Sequence, residues 1–429
     1  MKEIRQALIC FFAMMILGML IAFLLYKIED VQSFEQGKVE SVLPEKMEED
    51  TFENPEIRVL IKTTGFADNV HKNVVVSASK GLVVKDGNQV IEYANDEKVE
   101  LKGSRSSIKI KPKEVGDKIK IHSIERGYGI PSYGGTLEVY EVKEGFVIVN
   151  EVSIEEYLRA VVPSEMPASY EKEALKAQAI CARSYAYNQS KEMSYPEYGA
   201  HVDDSVSFQV YNNSEEKMFT NQAVLETEGE LLWYGDNIAM TYFYSTSSGN
   251  STSIEAWGTK LVDANQYLSG VSISNEEGTD YEKELSWYRW NATISSKTME
   301  KLVEENLKKE IGNLRNIEIT KIGQGGVVQE IEIIGTEDSV KVETENKIRK
   351  VLGGGGYQIT KQDGTVINSM KMLPSAFFSL EKNKDSYIIS GGGYGHGIGM
   401  SQNGANELAK SGKDYKQILE FFYPGTKVK

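Results

Sequence analysis

Three kinds of hydrophobic patterning follow one another along the chain. The first is unbroken: no residue from Ala7 to Tyr26 is charged, and a helix of that length spans roughly 30 Å, the thickness of a bilayer's hydrocarbon core. One transmembrane helix is expected there. A cleaved signal peptide has an apolar stretch of about 7 to 15 residues ending in small side chains. This one ends in Phe23, Leu24, Leu25 and Tyr26, so it reads as an uncleaved anchor. Lys2 and Arg5 precede it and Glu29 and Asp30 follow it, which places residues 1–6 in the cytoplasm and the rest of this single-pass protein outside the cell membrane. Residues 27–56 are acidic and read as a solvated tether.

The second pattern is short runs of Val and Ile broken by Gly, Asn, Asp and Lys: IRVLIK, NVVVSAS, KGLVVKDG, SSIKIKP and DKIKIHSI. These are strand signals. GTLEVYEVKEGFVIVNEV continues them as a hairpin turning at Lys143 to Gly145. Residues 57–150 are therefore a β-rich region, read as scaffold.

The third pattern is helical. In VVPSEMPASYEKEALKAQAICARSYAY, residues 161–187, Ala174, Ala177, Cys181, Ser184 and Tyr185 share one helix face, with Ser169 as N-cap and Glu171 and Glu173 in the first turn. The spacing predicts a helix from Tyr170 to Gln189. Pro163 and Pro167 ahead of it predict a stiff, non-helical loop over Ser164, Glu165 and Met166. A further helix is expected around Glu215–Glu226, with strands near Leu231–Trp233 and Ala239–Tyr244. Residues 270–390 read as an insertion with a helix over Ser296–Ile311 and strands such as NIEITKI and VQEIEIIG. A last helix begins at Asp414 and ends before YPG. The fold class is α+β: a β-rich N-terminal region, a helix-containing core over 151–269, an inserted α/β subdomain over 270–390, and a Gly-rich segment over 391–429 that returns to the core.

Charge narrows the partners. A formal net charge of −15 excludes a nucleic-acid partner, whose phosphates need a basic surface. The two cysteines are Cys10, in the apolar span, and Cys181, in the predicted helix. No disulfide can form within the exported part, and Cys181 reads as a small buried apolar side chain. Roughly 370 residues remain after the tether, enough for a core without such staples.

Two segments carry candidate chemistry. Val161, Val162 and Met166 flank Glu165 with apolar side chains that can desolvate its carboxyl and raise its pKa, as a general acid near neutral pH requires. In SGGGYGHGIGMSQNGANELAKSG the glycines lack the strand–helix context of a Rossmann loop and the Gly-Lys-Ser/Thr of a P-loop. They suit close backbone approach that presents His396, Ser401 and Gln402 at a cleft edge. A lone histidine names no reaction, and His396 reads equally as a side chain satisfied within the fold.

NEVSIEEYLRAVVPSEMPASYEKEALKAQAICARSYAY and GYGHGIGMSQNGANELAKSGKDYKQILEFFYPGT resemble the signatures of the stage II sporulation protein D family and its amidase-enhancer relatives. The likeness extends more loosely from Ile57 to Val428, including YFYSTSSGNSTSIEAWG and MLPSAFFSL. It implies a peptidoglycan lytic transglycosylase that cuts between N-acetylmuramic acid and N-acetylglucosamine, leaves a 1,6-anhydro end, and serves septal wall degradation and engulfment during sporulation. Glu165 is the implied catalytic acid. The expected partners are peptide-stripped glycan strands, a cell-wall amidase and other engulfment membrane proteins. A non-catalytic wall-binding activator of an N-acetylmuramoyl-L-alanine amidase is the alternative, and a vegetative wall enzyme of the same chemistry is a third. Substrate contacts are expected from Arg183, which a salt bridge would equally satisfy, from Tyr242, Tyr244, Ser245 and Ser248, and from His396, Ser401 and Gln402. Candidate second acids are Glu155, Glu156, Glu173, Asp203 and Asp204. Some relatives bind zinc through a His and two Cys, but HVDDSVSFQVY offers His201 and no Cys, so no thiolate zinc site and no cofactor are expected. Tyr244 stands where relatives often have His.

Overall fold

The computed structural model describes residues 54–103 and 107–429. The expected anchor at 7–26 and the tether through residue 53 lie outside the described residues. Among the described residues no helix is long and apolar enough to cross a membrane.

The Val- and Ile-rich runs form two sheets. The larger has seven strands in the order Val202–Asp203, Glu56–Ile61, Gly145–Ser153, Thr136–Val142, Ile108–Pro112, Leu82–Asp86 and Gln89–Tyr93. All its pairings are antiparallel except the short first strand, which runs parallel to Glu56–Ile61. The smaller sheet orders Val99–Glu100, Val75–Ala78, Ile119–Ile121 and Ser132–Tyr133. Alternation decides which side chains meet: Ile57, Val59 and Ile61 enter a core shared with Val76, Ala78, Ile119 and Ile121, while Leu60 turns to the opposite face with Val147 and Val149.

Seven α-helices follow among the described residues. They are α1 (Ile154–Glu165), α2 (Lys172–Gln189), α3 (Met218–Glu226), α4 (Ser296–Leu307), α5 (Glu345–Val351), α6 (Gln402–Lys410) and α7 (Tyr415–Phe422). Helix α1 closes the β core with Tyr157, Leu158, Val161 and Val162. Helices α2, α6 and α7 share a second core, where Ala177, Ile180 and Cys181 meet Met400, Leu408, Ile418 and Phe422. A third core is confined to residues 287–389. It is built on a five-stranded sheet, in the order Val366–Asn368, Gln358–Lys361, Trp290–Ser295, Ser386–Gly391 and Phe378–Lys382, together with a three-stranded one. Residues 53–429 make one compact unit holding all three cores. The fold is a mixed α+β one, 25% helical and 32% strand.

Two expectations are corrected. Residues 164–165 are not a loop: α1 runs through Pro163 and ends at Glu165. Val161, Val162 and Pro163 are all buried, and packing into the core outweighs the single amide donor that proline removes in the last turn. The bias of the second proline holds, since Met166, just before Pro167, is extended at φ −131°, ψ 134°. Helix α2 starts two residues later than the spacing predicts, with Glu171 rather than Ser169 at its N-cap.

The Gly-rich segment leaves the insertion's sheet at Gly391 and threads back to the second core. Gly395 and Gly399 take φ of 120° and 75°, and a Cβ on either would strike the Tyr244 side chain or the Tyr242 carbonyl. Only glycine lets the backbone come this close. Met400–Ser401 then pairs in parallel with Phe243–Tyr244.

Candidate active site

Glu165 is held at both ends. Its carboxylate oxygen Oε1 accepts the Val210 N–H at 2.5 Å, and its backbone carbonyl accepts Gln402 Nε2 at 3.1 Å. The side chain is half-buried. Desolvation raises the carboxyl to about 7, against the opposing Val210 hydrogen bond. Its place at the C-terminal end of α1 acts in the same direction, because the helix dipole there disfavours negative charge. A carboxyl poised near neutrality can give and take back a proton at little cost.

A row of rings leads away from it. The Glu165 carboxylate is close enough to help raise the Tyr185 phenol, after burial and Tyr242 and Asp203. Tyr185 meets Tyr242 edge-on at 6.2 Å, Tyr242 meets Trp257 at 4.7 Å and 85°, and Trp257 meets His396 at 5.0 Å. All four residues are half-buried. Burial, helped by the Arg349 charge, pushes the His396 imidazole down to about 3. The row is therefore uncharged at neutral pH.

Other expected contacts fall away from this row of rings. Arg183 is fully buried and its guanidinium grips Glu155 through Nε at 2.6 Å and Nη2 at 2.9 Å, with further bonds to Thr227 and to the Glu230 and Val224 carbonyls. Its donors are spent inside the fold, so the salt bridge is the outcome. Tyr244 is buried and presents no hydroxyl to a ligand. Ser401 is also buried; its Oγ caps α6 by accepting the Gly404 N–H and donates to Glu282 at 2.8 Å. Gln402 acts on Glu165 from behind. Ser245 and Ser248 stay half-buried. The Ser245 carbonyl accepts from Asn403, while Ser248 lines a separate cleft of about 480 Å³ with Arg289, Asn291 and Gln362.

None of the candidate second acids is free to oppose Glu165. Glu155 is paired with Arg183, and Glu156 lies in the first turn of α1, roughly 13 Å along the helix axis from Glu165. Glu173 accepts the Tyr415 N–H, Asp203 accepts from Tyr195 and Ser205, and Asp204 is buried against Arg126. His201 Nδ1 accepts the Arg58 N–H at 3.1 Å. Among the described residues no three His, Cys, Asp or Glu side chains stand close enough to hold a metal.

Sequence reading missed Glu282, which is fully buried. Its oxygens accept from the Ser247 N–H, the Ser247 hydroxyl and the Ser401 hydroxyl, and burial raises it to about 7. It thus ties the insertion to the segment after Tyr244 and to the start of α6, one residue from Gln402. Nothing local in the sequence around Glu282 distinguishes it from an exposed acid. Trp257, within SIEAWG, was not singled out either, although its ring neighbours Tyr242 and His396 were.

Residues 142–234 match the family model described as Stage II sporulation protein, and residues 256–399 match a domain of unknown function, DUF8618. The stage II sporulation protein D of Bacillus subtilis (strain 168) is 31% identical over 303 residues, covering 65% of this chain and 75% of that protein. The chain belongs to the stage II sporulation protein D family. An amidase enhancer of Bacillus subtilis (strain 168) is 30% identical over 294 residues; the match spans 63% of this chain but only 40% of that longer protein. An uncharacterized protein of Brachyspira hyodysenteriae is 29% identical over 347 residues and is covered to 84%. Within the family segment lie α1, Glu165, α2 and Val210; His396 and Glu282 lie in the second match.

Proposed function

We propose that this member of the stage II sporulation protein D family is a peptidoglycan lytic transglycosylase, anchored through residues 7–26 and acting outside the membrane on septal wall during engulfment. It cuts the bond between N-acetylmuramic acid and N-acetylglucosamine. The observation that carries this reading is a half-buried carboxyl, raised to about 7, beside a row of half-buried aromatic rings.

Protonated Glu165 gives its proton to the glycosidic oxygen as the C1–O bond breaks. The carboxylate left behind takes the proton of the muramic acid C6 hydroxyl while that oxygen bonds to C1. The products are a 1,6-anhydro end and a chain with a free 4-hydroxyl, and no water is consumed. One carboxyl suffices, whereas hydrolysis requires a second carboxylate about 5 to 9.5 Å away. The engagement of the other acids favours the one-carboxyl route.

Running the reaction in heavy-oxygen water tests it. Products that take up no label support transglycosylation, and label at a new reducing end overturns it in favour of hydrolysis. The second reading, an activator of a cell-wall amidase, is favoured by the amidase enhancer among the relatives. It predicts faster amidase turnover with the Glu165→Gln variant as with the unchanged protein, and the two activities are compatible.

A further inference from the structure

Trp257 stands at the start of the stretch that matches the domain of unknown function, and its ring is fixed from within that stretch. The indole N–H donates to Glu345 Oε1 at 2.8 Å. Glu345 is buried and its other oxygen accepts Arg349 Nη1 at 3.1 Å. Arg349 in turn donates to the Leu373 and Pro374 carbonyls. Glu345 and Arg349 both belong to α5, so a buried, hydrogen-bonded ion pair on one helix orients an indole in another segment. Buried pairs of this kind add little net stability compared with apolar packing, and setting register is their best-attested use.

The hydrogen bond engages the only polar atom of the indole and leaves its exposed part apolar. Trp257 lies between Tyr242 and His396 in a row where no ring is charged near neutral pH. A ligand for such a row is a chain of rings with apolar C–H faces. Nucleobases also stack on rings, but their backbone puts a phosphate on every unit and needs a basic surface, whereas a peptide-free glycan strand carries a carboxylate on only every second ring. Bare pyranose rings fit.

We propose that the 256–399 stretch is a substrate-positioning module, in which Trp257, oriented by the Glu345–Arg349 pair, is a saccharide-stacking platform in the row of rings that leads away from Glu165. This rests on the glycan reading above. The platform is composite: Tyr185 comes from the family segment, Tyr242 from the segment between the two matches, and Trp257 and His396 from the 256–399 stretch. Glu345 and Arg349 are positioning residues and touch no substrate.

Binding is measured separately from cleavage, using the full chain carrying Glu165→Gln and amidase-treated, peptide-free glycan strands. In that background Trp257→Ala is expected to weaken binding about ten-fold and Trp257→Phe about two- to three-fold. The glycan-induced change in tryptophan fluorescence is expected to vanish in Trp257→Phe, although Trp233, Trp287 and Trp290 remain. Glu345→Gln retains the acceptor and is expected to bind within about two-fold of the parent, while Glu345→Ala follows Trp257→Ala; thermal melts check that each variant is folded. Unchanged binding and an unchanged fluorescence response in folded Trp257→Ala and Trp257→Phe overturn the platform. Failure of the Glu165→Gln parent itself to bind glycan strands overturns the glycan reading instead.

Discussion

Gln402 Nε2 donates to the backbone carbonyl of Glu165 at 3.1 Å, joining residues 237 positions apart. The bond connects the first residue of α6 to the last residue of α1. Val210 holds the carboxylate while Gln402 holds the backbone beneath it. Ser401, the preceding residue, is fixed by Glu282, so the insertion reaches Glu165 through two side chains.

Gln402→Ala should therefore lower kcat by roughly 10- to 100-fold, the size of effect that a misplaced catalytic group produces, with KM for glycan strands little changed. Steady-state kinetics on peptide-free strands provide the check. A rise in KM at constant kcat would place Gln402 among the substrate contacts instead.

Two raised carboxyls make the pH response specific. Glu165 and Glu282 each move from an ordinary 4.5 to about 7 in the folded protein. The unfolded chain releases these protons at lower pH, so their contribution to stability is fully present below about pH 4.5 and is lost as pH rises through about 7. For fully buried Glu282 the shift corresponds to about 3 kcal/mol. Glu282→Gln should flatten the fall in Tm between pH 5 and 8, and an unchanged slope would remove Glu282 as its source. Cleavage that needs protonated Glu165 should decline above about pH 7 on the same grounds.

Arg183 lies fully within the fold with Glu155 as its ion partner. Arg183→Met leaves that carboxylate buried and unpaired, which costs about 3 to 5 kcal/mol. Denaturant unfolding should show the loss. The variant that also carries Glu155→Leu should regain much of it, because removing both partners is far less costly than removing one.

Elements defined by local chemistry were legible in the sequence. The hairpin turns between Val142 and Gly145, and Asp414 forms a capping box with Gln417 at the start of α7. The apolar neighbours of Glu165 signalled its desolvation. The end of α1 was misread because Pro163 is a local signal overridden by burial of its own ring and of Val161 and Val162. Arg183 and Ser401 were read as substrate contacts because their partners, Glu155 and Glu282, lie 28 and 119 residues away. Long-range pairing of polar side chains leaves no periodic trace, and Glu282, and the bond of Glu345 to Trp257 88 residues away, were missed for the same reason.

The central claim is that Glu165 alone supplies the proton transfers. Amidase-treated, peptide-free glycan strands are incubated with the purified chain or with Glu165→Gln, and the products are analysed by mass spectrometry. Glu165→Gln keeps the side-chain shape while removing the titratable proton. Fragments ending in 1,6-anhydro-N-acetylmuramic acid are expected from the unchanged protein and at background level from the variant, which should still bind glycan. Equal yields of anhydro fragments from both proteins would contradict it.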